Sequence, residues 1–151
     1  SLGLERLEIQ SHMPNLEEEL VYKVSDKIEH LRKLCWDSLG VSRSLEKMMN
    51  LRKFLEAEMM ELKNNFLLDQ TQNIKDTQIL VLDEQYRRAL NLLLDLENRQ
   101  ITTHLLLTAC IFREESRGGH YRVDFPQTKI SWNCHSLQQK NKKITKAFIQ
   151  S

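Results

Sequence analysis

Apolar positions recur along the first two thirds of the chain at the spacing of an α-helix. Val21, Val24, Ile28, Leu31 and Cys35 are separated by 3, 4, 3 and 4 residues, which lines one face of an amphipathic helix. Asn15, with Glu18 three residues on and Pro14 just before, has the form of a start signal, and Gly40 supplies a stop able to take a left-handed cap. Ser42 or Ser44 then caps a second helix, with its stripe at Leu45, Met48, Leu51, Leu55, Met59, Leu62 and Phe66. Residues 69–77 (DQTQNIKDT) are polar and aperiodic and read as a loop. The third segment runs without Pro or Gly from about Thr77 to Arg117. Its stripe is Leu82, Tyr86, Ala89, Leu90, Leu93, Ile101, Leu105, Ala109 and Phe112, interrupted at Glu97 and Asn98, where a kink or a break into two helices is possible. No one of these helices buries its stripe alone. The expected fold is therefore all-α, an antiparallel three-helix bundle of spectrin-repeat type over residues 14–117.

Helical spacing stops at Gly118-Gly119. Residues 118–136, with Tyr121, Val123, Phe125, Pro126, Ile130 and Trp132, read as an extended or irregular segment packed on the bundle. Residues 137–151 read as a polar tail in which Lys140, Lys142, Lys143 and Lys146 form a basic patch on a short helix. Four lysines without interleaved aromatics read first as a solvated surface. Ser1–Met13 reads as a leader foreign to the natural sequence, with His12-Met13 resembling a cloning junction.

Composition narrows the function classes. There are 22 Lys+Arg against 21 Asp+Glu, so no whole-chain field draws nucleic acid or an anionic membrane. No apolar run approaches the ~20 residues of a membrane span. Three cysteines (Cys35, Cys110, Cys134), odd in number and without C-x-x-C spacing, suggest a reducing, cytoplasmic setting. With 4 Gly, the chain has no phosphate-binding glycine loop. The histidines and cysteines lack the number and spacing of a metal site: Cys134-His135 are adjacent, and His104 lies six residues before Cys110. Ser116 and His120, near Glu114, Glu115 and Asp124, invite comparison with a hydrolytic triad. Ser at a helix end more commonly turns the backbone.

The densest polar stretch is Arg113–Pro126, where six of fourteen residues carry formal charge. It straddles the end of the longest helix, where cations are favoured and Arg is suited to bidentate carboxylate pairing. It serves either as a hydrogen-bonded corner or as a docking surface built around Arg117, His120, Arg122 and Asp124. An ion pair between Arg43, at the turn between the first and second helices, and Glu115 or another acid at the long helix end is a second expectation.

Within that stretch, Glu115-Ser116-Arg117-Gly118-Gly119-His120-Tyr121-Arg122-Val123-Asp124-Phe125-Pro126 resembles the E-S-R-G-x-H-x-R-x-D-[FY]-P signature of a flavoprotein family. That family comprises L-aspartate oxidase and the succinate dehydrogenase and fumarate reductase flavoprotein subunits. Leu34-Cys35-Trp36-Asp37-Ser38-Leu39-Gly40-Val41-Ser42-Arg43 is similar to its L-M-W-x-x-x-G-[IV]-x-R turn, with Cys35 in place of Met. Leu96-Glu97-Asn98-Arg99 and the Trp132–His135 spacing fit as well, and Gly119 stands where Ala or Leu is common. The short run from Asp124-Phe125-Pro126-Gln127 to Trp132 lacks the R-D-D-x-x-W continuation of the respiratory subunits and so resembles the aspartate-oxidising branch. The resemblance implies a C-terminal helical domain that packs on an FAD-binding domain of the same polypeptide. FAD, the dinucleotide-binding glycines and the catalytic residues would lie in that other domain. This chain would then hold no cofactor or metal and perform no catalysis. A free-standing helical interaction module is the competing class, and its mark would be an exposed apolar groove.

Overall fold

The computed structural model describes residues 4–9 and 16–148. The elements in order are β1 (Glu5–Ile9), α1 (Leu16–Leu39), α2 (Leu45–Lys63), α3 (Phe66–Gln72), β2 (Gln78–Leu82), α4 (Glu84–Phe112), a 3-10 turn at Ile130–Trp132, β3 (Cys134–Leu137) and β4 (Thr145–Phe148). Helices dominate, but the all-α expectation of three helices with an irregular extension is corrected: among the described residues there are also a fourth, short helix and two small sheets.

The chain falls into two compact units. One comprises the residues up to His30 together with Ala57–Arg99; the other comprises Leu31–Glu56 and the residues from Gln100 onward. In the first unit, Val24, Leu67, Leu68, Ala89, Leu93 and Leu96 are buried. Lys27 of α1 reaches Glu58 and Glu61 of α2 at 2.8 and 2.7 Å. β1 and β2 pair in parallel, Glu5 opposite Gln78 through Ile9 opposite Leu82. The stretch Gln78-Ile79-Leu80-Val81-Leu82 holds β-branched residues at alternate positions, which suits a pleated strand better than a helix. Asp83 ends that strand and caps α4, its carboxylate accepting the Tyr86 amide at 2.9 Å. The long helix therefore starts at Glu84, not near Thr77. Asn65 likewise accepts the Leu67 and Leu68 amides (3.0 and 3.4 Å) and starts α3. Phe66 thus leaves the α2 stripe, and the first part of the expected 69–77 loop is helical. The Asn15 start signal and the His12-Met13 pair lie outside the described residues.

The second unit is built on Leu31, Leu39, Met48, Leu51, Leu55, Leu107 and Cys110, with Trp132 and Cys134 also buried. Ser44 caps α2 through the Lys47 amide at 3.3 Å. Gly40 ends α1, but not by a left-handed conformation: Gly118 is the described glycine with positive φ. Gly40 is needed because a Cβ there would lie 2.4 Å from the Trp36 carbonyl oxygen.

α4 is one uninterrupted helix through Glu97 and Asn98. Its buried face runs Ala89, Leu93, Leu96, Gln100, Thr103, Leu107, Cys110, at spacings of 4, 3, 4, 3, 4 and 3. Ile101 and Leu105, assigned to the stripe on hydrophobicity, are exposed instead. The phase set by Leu93 and Leu96 carries straight on, so two polar residues are buried and two apolar ones face out. β3 and β4 form an antiparallel hairpin, Cys134 opposite Phe148, so Lys146 lies on a strand and not on a short helix. Alternation along β3 buries Cys134 and exposes His135. All three cysteines are free thiols.

Candidate functional site

The charged stretch after α4 folds into a corner that closes the C-terminal end of that helix, where the last carbonyls have no partner within the helix. Arg122 supplies one. Its side chain is 1% exposed, and its Nη1 donates to the carbonyls of Ile111 (2.8 Å), Arg113 (3.2 Å) and Cys110 (3.3 Å). Its Nε donates to Asp124 Oδ1 at 3.1 Å, Nη2 pairs with Asp124 Oδ2, and the guanidinium stacks on Phe125 at 4.7 Å. Hydrogen bonding from Arg122 holds the Asp124 carboxyl below its usual range.

Glu115 is the second centre. Its side chain is fully buried, yet both oxygens are occupied. Arg117 donates to them at 2.9 and 3.2 Å, the Lys129 amide at 2.8 Å, and Arg113 completes the set. Burial alone would raise the Glu115 pKa. The Arg117 guanidinium, the Lys129 amide and the Arg113 guanidinium outweigh it and pull the value down to about 2. Arg113 also donates to the carbonyls of Trp132 (2.9 Å) and Cys134, tying the helix end to the later segment. Trp132 packs edge-on against Phe112 at 5.1 Å, and the Lys146 ammonium sits 3.6 Å from its ring centre.

Ser116 and His120 have structural partners. Ser116 Oγ donates to the Phe125 carbonyl at 2.8 Å and accepts the Arg122 amide at 2.9 Å. His120 Nε2 lies 3.2 Å from the Arg113 carbonyl; a carbonyl only accepts, so Nε2 carries the proton. Burial lowers the His120 pKa, and the nearby Arg43, Arg113 and Arg122 charges push the same way against the Arg113 hydrogen bond. Nucleophile and base are each spent on backbone, so the pair is not arranged as a triad.

Arg117 and His120 pair through reciprocal backbone bonds (2.8 and 3.0 Å), with Gly118-Gly119 as the turn between them. Gly118 has φ 56°. Changing Gly118 to alanine is expected to cost about 1–2 kcal/mol, the penalty of an L-residue in the left-handed region. Gly119→Ala, with no atom within 4 Å of its added Cβ, should be near neutral. Urea denaturation of the two variants checks this.

The expected Arg43–Glu115 pair is corrected. Arg43 donates instead to the carbonyls of Leu39 (3.2 Å) and Gly119 (2.9 Å), while its backbone bridges Tyr121 and Val123. It joins the end of α1 to the glycine turn, and the acid is filled by nearer arginines. Of the four residues expected at a docking surface, Arg122 is buried and spent within the chain, His120 is partly buried, and Arg117 and Asp124 keep partly exposed side chains. Sequence reasoning missed Arg113 as the hub to β3, though its place one residue past the helix end is a signal for carbonyl capping.

Arginines thus close the C-terminal end of the long helix, and the same residues carry the resemblance to the flavoprotein family. The chain matches the family model described as fumarate reductase flavoprotein C-term over residues 28–150. It therefore belongs to that family, the C-terminal domain of the succinate dehydrogenase and fumarate reductase flavoproteins. It is 33% identical over 109 residues to an uncharacterized FAD-dependent oxidoreductase of Methanocaldococcus jannaschii, covering 72% of this chain and 17% of the relative. It is 31% identical over 123 residues to an L-aspartate oxidase of Synechocystis, covering 80% and 21%. Against a fumarate reductase (CoM/CoB) of Methanothermobacter marburgensis it is 28% identical over 149 residues, covering 91% and 24%. The chain thus spans about a fifth of the length of these relatives.

Of the described glycines, Gly118-Gly119 form the turn between Arg117 and His120, and Gly40 ends a helix. Among the described residues no group of three or more His, Cys, Asp or Glu could hold a metal ion, and no helix is long and apolar enough to cross a membrane.

Proposed function

We propose that this chain is the C-terminal helical domain of an FAD-dependent L-aspartate oxidase, which converts L-aspartate to iminoaspartate on the route to quinolinate and NAD in the cytoplasm. The chain packs on the FAD-binding part of the same polypeptide, supports it and has no catalysis of its own. Residues 14–117 act as the helical support, and the segments 118–136 and 137–151 close its end. The observation that carries the reading is the run from Glu115 to Gln127 with its short span to Trp132, which resembles the aspartate-oxidising branch. The Synechocystis relative supports it. The Methanothermobacter relative favours a second reading, the same domain in a fumarate reductase or succinate dehydrogenase flavoprotein.

The test is anaerobic flavin reduction by the full polypeptide. L-Aspartate should bleach the visible flavin absorbance, and succinate should not. Bleaching by succinate alone would select the second reading. A reading frame with no dinucleotide-binding motif ahead of this segment would exclude both.

A further inference from the structure

Of the residues that carry the family resemblance near the α1–α2 turn, Gly40 and Arg43 are consumed by the fold, as described above. Trp36 and Val41 are not: they are 76% and 83% exposed. Trp36 borders an open groove of about 860 Å³ between the last turns of α1 and the middle of α4, with Cys35, Leu39, Thr103 and Leu106 along it. Leu106 is 49% exposed. Cys35 Sγ and Thr103 Oγ1 lie 3.4 Å apart and satisfy one another. Arg32, Lys33 and Asp37 also line the groove, yet most of its surface is apolar. A solvated helix end has no use for a bare tryptophan beside an apolar trough, and such patches mark contact surfaces.

We infer that the Trp36–Leu106 groove, and not the charged corner after α4, is the surface on which the flavin-binding part of the same polypeptide seats. This rests on the functional reading above and moves its docking surface. Two observations select that occupant. About four fifths of each relative lies outside the region this chain matches, so a large covering partner in the same polypeptide accompanies the family fold. The corner residues first expected to dock are already engaged: Arg122 closes α4, and Glu115 takes both arginines beside it. A second copy is a poorer occupant, because a two-fold contact needs a self-complementary patch and a groove needs a convex one.

The test is hydroxyl-radical labelling of the full FAD-loaded polypeptide, comparing Trp36 and Trp132 within one sample. Trp36 is 76% and Trp132 7% exposed in this chain, so an uncovered groove would label Trp36 about tenfold more than Trp132. Seating of the flavin-binding part brings that ratio near one at every protein concentration. A tenfold ratio overturns the proposal. So does a low ratio that rises on dilution, which would assign the groove to a second copy. Trp36→Glu in the full polypeptide should leave the two parts separable by brief proteolysis; resistance equal to the unaltered protein also overturns it. Flavin content and aspartate-dependent bleaching of the same preparation report on the functional reading separately. A protein without flavin fails that reading, while a flavin-loaded protein with an open groove fails only this one.

Discussion

Arg122→Met should destabilise this chain by roughly 3 kcal/mol, the scale for removing one member of a buried, hydrogen-bonded charge pair. Methionine fills much of the same volume and stacks on Phe125, so the loss is chiefly polar. The carbonyls of Cys110 and Ile111, in the last turn of α4, lose this donor in a place water reaches poorly, and that of Arg113 keeps only His120. Asp124 is partly exposed and would be solvated on losing its partner, which keeps the loss from being larger. Arg122→Lys should recover only part of the effect, because an ammonium cannot spread its donors over three carbonyls and a carboxylate at once. Urea midpoints of the three proteins, with unchanged slopes, check the order. A Met variant as stable as the original would mean that the carbonyls find other donors.

The second large effect belongs to Glu115. Glu115→Gln keeps the shape but leaves Arg113 and Arg117 facing a neutral amide whose NH2 group must point at a donor. A loss of about 3 kcal/mol is expected on the same scale. The charge also sets an acid limit. The folded-state pKa of about 2 lies below the ordinary 4.5, so the unfolded chain binds the proton more readily. The stabilisation is therefore complete above pH 4.5 and disappears as pH falls from there through 2. Asp124, also held below its ordinary value, acts in the same direction. His120 has a lowered pKa too, so its share is present above its ordinary 6.5 and declines as acid charges the buried ring. Denaturation at descending pH should show a weak decline starting below 6.5 and a steeper one below 4.5. Glu115→Gln should remove most of the steeper part and keep the weak one.

The corner was legible in part. Its residues stood out by charge density at a helix stop, and the same residues carried the family resemblance. Their pairing did not show. Arg43, Arg113, Arg117 and Arg122 are chemically equivalent in a string of letters, and which of them meets Glu115 depends on where the chain turns. Gly118 turns it back on itself between Arg117 and His120, and that brings Arg122 under the helix end, with Arg43 beside the glycine turn. Burial had the same blind spot. Periodicity marks the apolar letters Ile101 and Leu105, whereas the packed face is set by the helix phase, and it runs through Gln100 and Thr103.

By itself the sequence determined the helical character of the chain, the stop at Gly40, the residues of the charged corner and the family to which they belong; it carried the long helix to Arg117, whereas α4 ends at Phe112 and Gly118 turns the chain beyond it. These are local or chemical properties: helical spacing, the missing side chain of a glycine, and residue types at fixed offsets. Only the tertiary structure decided the rest. It made Gln78–Leu82 a strand, because a partner at Glu5–Ile9 supplies the hydrogen bonds a lone segment lacks. It set Lys146 on the β3–β4 hairpin above Trp132, and left Trp36 and Leu106 exposed beside a groove. Strand pairing, ion-pair choice and exposure are long-range: each is settled by residues far away in sequence that the fold brings within reach, and local pattern does not contain that distance.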